Sequence, residues 1–402
     1  MKIDPDLSYL PKKLLEANDK LMFANVMSCV TKSNPDDIKK HKINISGMNW
    51  YVFEGPSFKI IGNEAHDYNE FYDYVTGLTV RFGKEVKDDP TWSPIGNSIA
   101  DIECVSGKCP KINGKNCKFC YKSNGGDIAH CMTLNEAEKL VDFINQNHQL
   151  QQIAWGITGY YTNPDFGKIL EMCCHKHVTP NYTTNGVDLD DAAIEHTLKY
   201  CGRVAVSCYD GAKDICYNTI KKFGDKAKEM KRKFPCNIHV VLSKDTYTHV
   251  MDVLNDAKDK KIENLGAIVM LRMKNVGRAK NLDPYIPDEM YETIVKFCLD
   301  NDIKFGFDSC GCHRVEDVLK KLGKDNLLYS LEPCESSRFS AYWNVKSQFF
   351  NCSFCEQLDG HVAIDQYKYD SFTDFWHSDD VKSLRFPKNG WVCRSCPFMN
   401  ID

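Results

Sequence analysis

From about residue 97 to residue 308 the chain alternates strand-like and helix-like segments, and this regularity limits the possible folds more than any other feature. The strand-like runs are IADIECV, QQIAWGITG, VTPNYTTNG, GRVAVSCYD, NIHVVLSKDT, NLGAIVMLRMK and IKFGFDS. Between them lie amphipathic stretches: TLNEAEKLVDFINQNH, DFGKILEMCCHKH, LDDAAIEHTLKYC, a basic stretch over roughly 211–233, HVMDVLNDAKDK and DEMYETIVKFCLDN. The first of these has Thr133 as N-cap and Glu136 three residues on, the pattern of a capping box. Strands that recur after helical crossovers pair in parallel, with the helices outside. Six or seven units are too few to close an eight-fold barrel. The pattern therefore predicts an α/β fold built on a partial (β/α)6 TIM-like barrel, open along one side. In such barrels the chemistry sits at the C-terminal ends of the strands.

The flanks differ. Residues 1–95 read as an N-terminal α+β extension. NWYVFEG and FKIIG look like strands around Gly55-Pro56, and NEFYDYVTG looks like a helix ending at Gly77. KDDPTWSPIG, with two prolines, reads as a linker. Residues 309–402 break the alternation and read as a separate Cys-rich domain with a hairpin, FSAYWNVKSQFF. The barrel unit is then 96–308. A net charge of −4 gives no basis for binding long nucleic acid. No run approaches 18 apolar residues, and MKIDPDLSYLPKK is interrupted by Asp4 and Asp6, so the expectation is a cytosolic protein with no membrane contact.

In a reducing cytosol, 20 cysteines suggest metal ligands more than disulfides. They fall into two groups. Cys109, Cys117 and Cys120 share one loop, CPKINGKNCKFCYKSNGGD, just after the first barrel strand. Three thiolates on a short loop suit an iron–sulfur cubane and leave its fourth iron open, as a catalytic centre needs. Asn113-Gly114 supplies the turn inside the long gap. The second group is Cys310, Cys312, Cys334, Cys352, Cys355, Cys393 and Cys396. The others, such as Cys173, Cys201 and Cys298, read as small buried hydrophobes.

The CKFCY segment, after a first barrel strand, resembles the radical S-adenosylmethionine superfamily, whose signature is C-x3-C-x-aromatic-C. This chain has seven residues in the first gap instead of three. The resemblance covers about residues 97–308. It implies a [4Fe–4S] cluster on Cys109, Cys117 and Cys120 that chelates S-adenosylmethionine, and one-electron cleavage to a 5′-deoxyadenosyl radical. It also implies an electron donor such as flavodoxin or ferredoxin. On this resemblance Gly156, Thr158 and Gly159 of GITGYY lie near the methionine amino group. Ser207, Tyr209, Asp210 and Ser243 lie near the ribose or carboxylate, and Arg278 of KNVGRAKN pairs with the carboxylate. Thr184, Asn185 and Asp308 would face the substrate. The C-terminal part looks like a SPASM or twitch extension. That implies an auxiliary iron–sulfur cluster, assigned to Cys310, Cys334, Cys352 and Cys396; the competing choice is the two C-x2-C pairs, which also suit zinc.

The substrate is less legible. The first expectation is a small molecule, on a resemblance of organisation to queuine lyase: a lyase acting on a modified 7-deazaguanine nucleobase. The alternative is a maturase modifying a ribosomally synthesised peptide. A non-enzymatic metal-binding scaffold is a third reading, at odds with an open three-cysteine loop on a barrel.

Overall fold

The computed structural model describes residues 34–85, 88–358 and 362–385. Its centre is a nine-stranded sheet. Seven parallel strands follow chain order: β6 (Ile99–Glu103), β9 (Gln152–Gly156), β10 (Thr179–Thr184), β11 (Val204–Ser207), β12 (Cys236–Leu242), β13 (Leu265–Arg272) and β14 (Phe305–Phe307). Helices α1 (Leu134–Ile144), α2 (Phe166–His175), α3 (Asp191–Tyr200), α4 (Lys213–Glu229), α5 (Tyr247–Lys258) and α6 (Asp288–Asp300) make the crossovers, and α7 (Cys312–Lys321) follows β14. The sheet does not close, so the partial barrel is as expected. Thr133 caps α1 in a full capping box with Glu136.

Alternation along the strands decides which face meets the helices. In β12, Cys236, Ile238, Val240 and Leu242 are buried in the main core, while Asn237 and His239 line a cavity. Asp101, Ala154 and Asn181 are register partners on neighbouring strands and share that inner face.

Two expectations change. NEFYDYVTG is not a helix: Asn69–Asp73 forms β4, and Gly77 turns the chain at a φ of +75°. Phe71 packs into the apolar cluster on one side of the sheet and Tyr68, just before β4, into the cluster on the other, a two-faced burial that a strand provides. β4 belongs to a five-stranded antiparallel sheet with β1 (Lys39–Ile45), β2 (Met48–Glu54), β3 (Phe58–Asn63) and β5 (Thr79–Phe82). The expected C-terminal hairpin exists as β15 (Ser340–Trp343) and β16 (Phe349–Phe350), but it is not set apart from the barrel. β15 pairs in parallel with β6 and extends the barrel sheet beyond its first strand. Two short helices, α8 (Phe372–Trp376) and α9 (Asp379–Arg385), end the described chain. Among the described residues no helix is long and apolar enough to cross a membrane.

Candidate active site

The cysteine loop begins and ends on a short ribbon, β7 (Val105–Gly107) with β8 (Ala129–Cys131), at the C-terminal end of β6. Asn113 and Gly114 both adopt left-handed backbone, at φ of +49° and +72°, and Ile112 and Lys115 close the turn around them. This turn accommodates the long first gap and keeps the three cysteines on one short loop. Burial pushes the Cys109 thiol up to about 11, and neighbouring Cys120 and Cys117 push it the same way. Burial likewise raises Cys117, with Cys120 adding and the Phe119 amide and Tyr209 hydroxyl opposing. The Asn124 amide donates to Cys120 Sγ at 3.2 Å. Two thiols this costly to ionise, with Cys120 beside them and amide donors around, suit a positively charged metal centre.

The 3-10 turn Gly277–Ala279 holds the loop from behind. The Arg278 amide donates to Cys120 O at 2.9 Å, and its guanidinium donates to Cys117 O at 2.6 Å and Ser123 O at 3.1 Å. Gly277 sits at a φ of +59°, and a Cβ there would come 2.2 Å from Tyr121 O. Only glycine lets the two backbones approach so closely. Arg278 was expected to meet a ligand carboxylate; in this structure its guanidinium binds loop carbonyls instead and positions the cysteines.

The end of β9 forms the neighbouring wall. Gly156 pairs with Glu103, and Cys109 Sγ lies 3.5 Å from Thr158 O. The Thr158 hydroxyl is buried without a hydrogen-bond partner. Gly159 is pressed between Pro110 and Asp188. Asp188 escaped the sequence reading because it falls just before the amphipathic stretch LDDAAIEHTLKYC. It accepts from the Tyr161 amide at 3.2 Å, while its buried Oδ1 has no partner. Tyr209, past β11, reaches from Ser207 to Cys117, and Asp210 is exposed.

Other candidates are occupied elsewhere. Ser243 is buried, and its hydroxyl accepts from the Thr246 amide at 3.2 Å in the turn into α5. Thr184 accepts from the Gly186 amide at 3.0 Å in its own turn. Asn185 donates to Pro110 O at 3.1 Å, bracing the cysteine loop. Asp308 pairs with the buried Lys274. Deeper in the barrel are two groups the sequence did not single out. Burial pushes Asp101 up to about 6 and His239 down to about 4.

Of the second cysteine group, Cys352 and Cys355 lie with sulfurs 3.4 Å apart. Cys310 is beside Lys274, whose ammonium lies 4.7 Å from the ring centre of Phe354, between that pair. Cys334 is half-buried. Cys393 and Cys396 fall outside the described residues. The Phe354 ring also meets Tyr121, centroids 4.8 Å apart. Lys122, next in the chain, contacts Glu103 at 3.3 Å, Glu356 and the Tyr342 hydroxyl. The two cysteine groups are therefore neighbours.

No protein-family model matches the sequence, and no curated protein matches it. Solved structures do resemble it. SuiB of Streptococcus suis bound to precursor peptide SuiA is 15% identical, with a TM-score of 0.57 over 76% of this chain and 71% of that one. SuiB bound to S-adenosylmethionine is 15% identical, with a TM-score of 0.56 over 76% and 72%. Native anSMEcpe with bound AdoMet and Cp18Cys peptide is 15% identical, with a TM-score of 0.50 over 75% and 86%. At such identity the likeness is one of fold. The expectation of a nucleobase lyase finds no support among these neighbours, two of which were solved with peptides.

Proposed function

We propose that this chain is a radical S-adenosylmethionine enzyme that modifies a peptide. The observation that carries the reading is the placement of Cys109, Cys117 and Cys120 on one loop at the C-terminal end of the first barrel strand, with Cys117 and Cys120 near enough to bear on the Cys109 thiol. The fold neighbours solved with S-adenosylmethionine and with peptides support it. Cys109, Cys117 and Cys120 would hold three irons of a [4Fe–4S] cluster and leave the fourth for a ligand. When bound, that cluster supplies the electron that cleaves S-adenosylmethionine to a 5′-deoxyadenosyl radical.

The chain's own residues prepare the site. The Phe119 amide directs its N–H at the Cys117 sulfur and favours its thiolate form, and the Asn124 amide donates to Cys120 Sγ. Arg278 and Asn185 fix the loop from two sides. The unpartnered Thr158 hydroxyl and Asp188 Oδ1 offer acceptors for an ammonium group beside Cys109. Ser207 and Tyr209 present hydroxyls at the end of β11 for the ribose or carboxylate. The second group would hold an auxiliary cluster, with Cys352 and Cys355 as its nearest thiols. The barrel interior, with Asp101 and His239 on its wall, receives the substrate and keeps water from the radical.

The test is anaerobic. The iron-loaded chain, reduced and given S-adenosylmethionine, is expected to form 5′-deoxyadenosine, and Cys117→Ala to abolish it. Undiminished activity in that variant would overturn the assignment. With a substrate peptide the product is a peptide of altered mass; turnover of a free nucleobase would overturn the peptide half of the reading.

A further inference from the structure

The antiparallel sheet meets the barrel at the N-terminal ends of its strands, opposite the cysteine loop. Between them lies a cavity of about 440 Å³, lined by Tyr72, Tyr74, Asn181, Arg203, Asn237 and His239 among others. Near this junction is a cluster the proposed chemistry does not use. His41 on β1 and Glu54 on β2 are diagonal neighbours on one face, 3.2 Å apart. His148, in the turn between α1 and β9, lies against them in left-handed backbone at a φ of +56°. Among the described residues, these three are the one group of histidine, cysteine and carboxylate ligand atoms within 4.8 Å of one another.

We propose that His41, Glu54 and His148 form a binding site for a divalent first-row transition metal of the zinc class. Two imidazoles and a carboxylate are a donor set that zinc takes at about 2.0–2.2 Å, with a fourth position for water. Glu54 is buried. Lys59 pairs with Oε1 at 3.1 Å and donates to Leu150 O at 2.7 Å. It thereby orients the carboxylate with Oε2 toward His41, as groups behind metal ligands do. Ligation requires one movement. The His41 and His148 rings are stacked with centroids 3.6 Å apart, and the His148 ring must turn out of that stack. His177 stands nearby but is engaged by Lys39 at 2.9 Å. An ion here would tie the N-terminal sheet to the barrel without using a thiol.

The probe is Co2+, titrated anaerobically into the iron-loaded chain and followed by calorimetry and absorption. One equivalent is expected to bind, without the sulfur-to-cobalt charge-transfer band of a thiolate site. His148→Ala is expected to weaken binding by about 100-fold or more, with iron content unchanged. His41→Phe keeps a ring for the stack but removes the donor, and it should show the same loss even if the alanine variant misfolds. Absence of binding, a thiolate band on the bound cobalt, or undiminished binding in His41→Phe would each overturn the proposal.

Discussion

At the scale of single residues, Asp101 makes the clearest solution prediction. Asp101 is exposed to the barrel interior on the inner face of β6, where loss of bulk water pushes its carboxyl up to about 6, so the folded state holds its proton more tightly than the unfolded chain. The stability linked to that proton is complete below the ordinary Asp value near 4 and is lost as pH rises through about 6. Wild type is therefore expected to lose stability between pH 4 and 6 relative to Asp101→Asn, measured as melting temperature against pH. Parallel curves for the two proteins would refute it. Residues differed in how legible they were. Cys109, Cys117 and Cys120 were readable because thiols so close in sequence have few structural uses. Asp101, Asp188 and His239 were not. A lone Asp or His acquires meaning only when strand register turns it toward the barrel, and register is set by tertiary pairing. Ser243 and Thr184 show the converse: strand-end hydroxyls that look available are taken up by adjacent turns.

At the scale of elements, the β-α alternation was legible because each crossover helix carries its own apolar stripe and each strand its own buried face. The ends were harder. NEFYD has a helix-compatible spacing of aromatics, but a strand buried on both faces uses Phe71 and Tyr68 better than a surface helix would. The placement of β15 beside β6 joins residues more than 200 apart, and no local pattern encodes such a pairing. Lys122 secures this junction. Its ammonium lies among Glu103 from β6, Glu356 beyond Cys355, and Tyr342 from β15, with only 7% of its side chain exposed. Removing one partner of a buried ion pair leaves charge uncompensated and costs about 3–5 kcal/mol. Lys122→Met leaves two facing carboxylates and is expected to lose unfolding free energy of that order, read from denaturant unfolding curves. Glu356→Gln, which keeps the Lys122–Glu103 pair, should cost less. Equal effects from the two variants would show that the lysine does not bridge the junction.

At the scale of the molecule, the chain places its thiol chemistry at one end of the barrel and its histidine cluster at the other. The two thiol groups are not independent modules. Tyr121 follows Cys120 directly, and its ring rests on Phe354, between Cys352 and Cys355. Lys122 ties the same segments by charge. This proximity bears on what the second group holds. If both groups carry [4Fe–4S] clusters, anaerobic reconstitution is expected to give about eight irons per chain, four for each cubane. Cys352→Ser with Cys355→Ser should lower the count to about four. Because Cys109, Cys117 and Cys120 remain, the double variant should still form 5′-deoxyadenosine on reduction, though substrate turnover falls. A wild-type count near four with one zinc that the double variant loses would instead assign the second group to a tetrahedral zinc, which four thiolates satisfy. That zinc would be lost in the same double variant while the iron count stayed constant, so iron and zinc analysis of the two proteins together separates a chain with two clusters from a chain with one cluster and a structural ion.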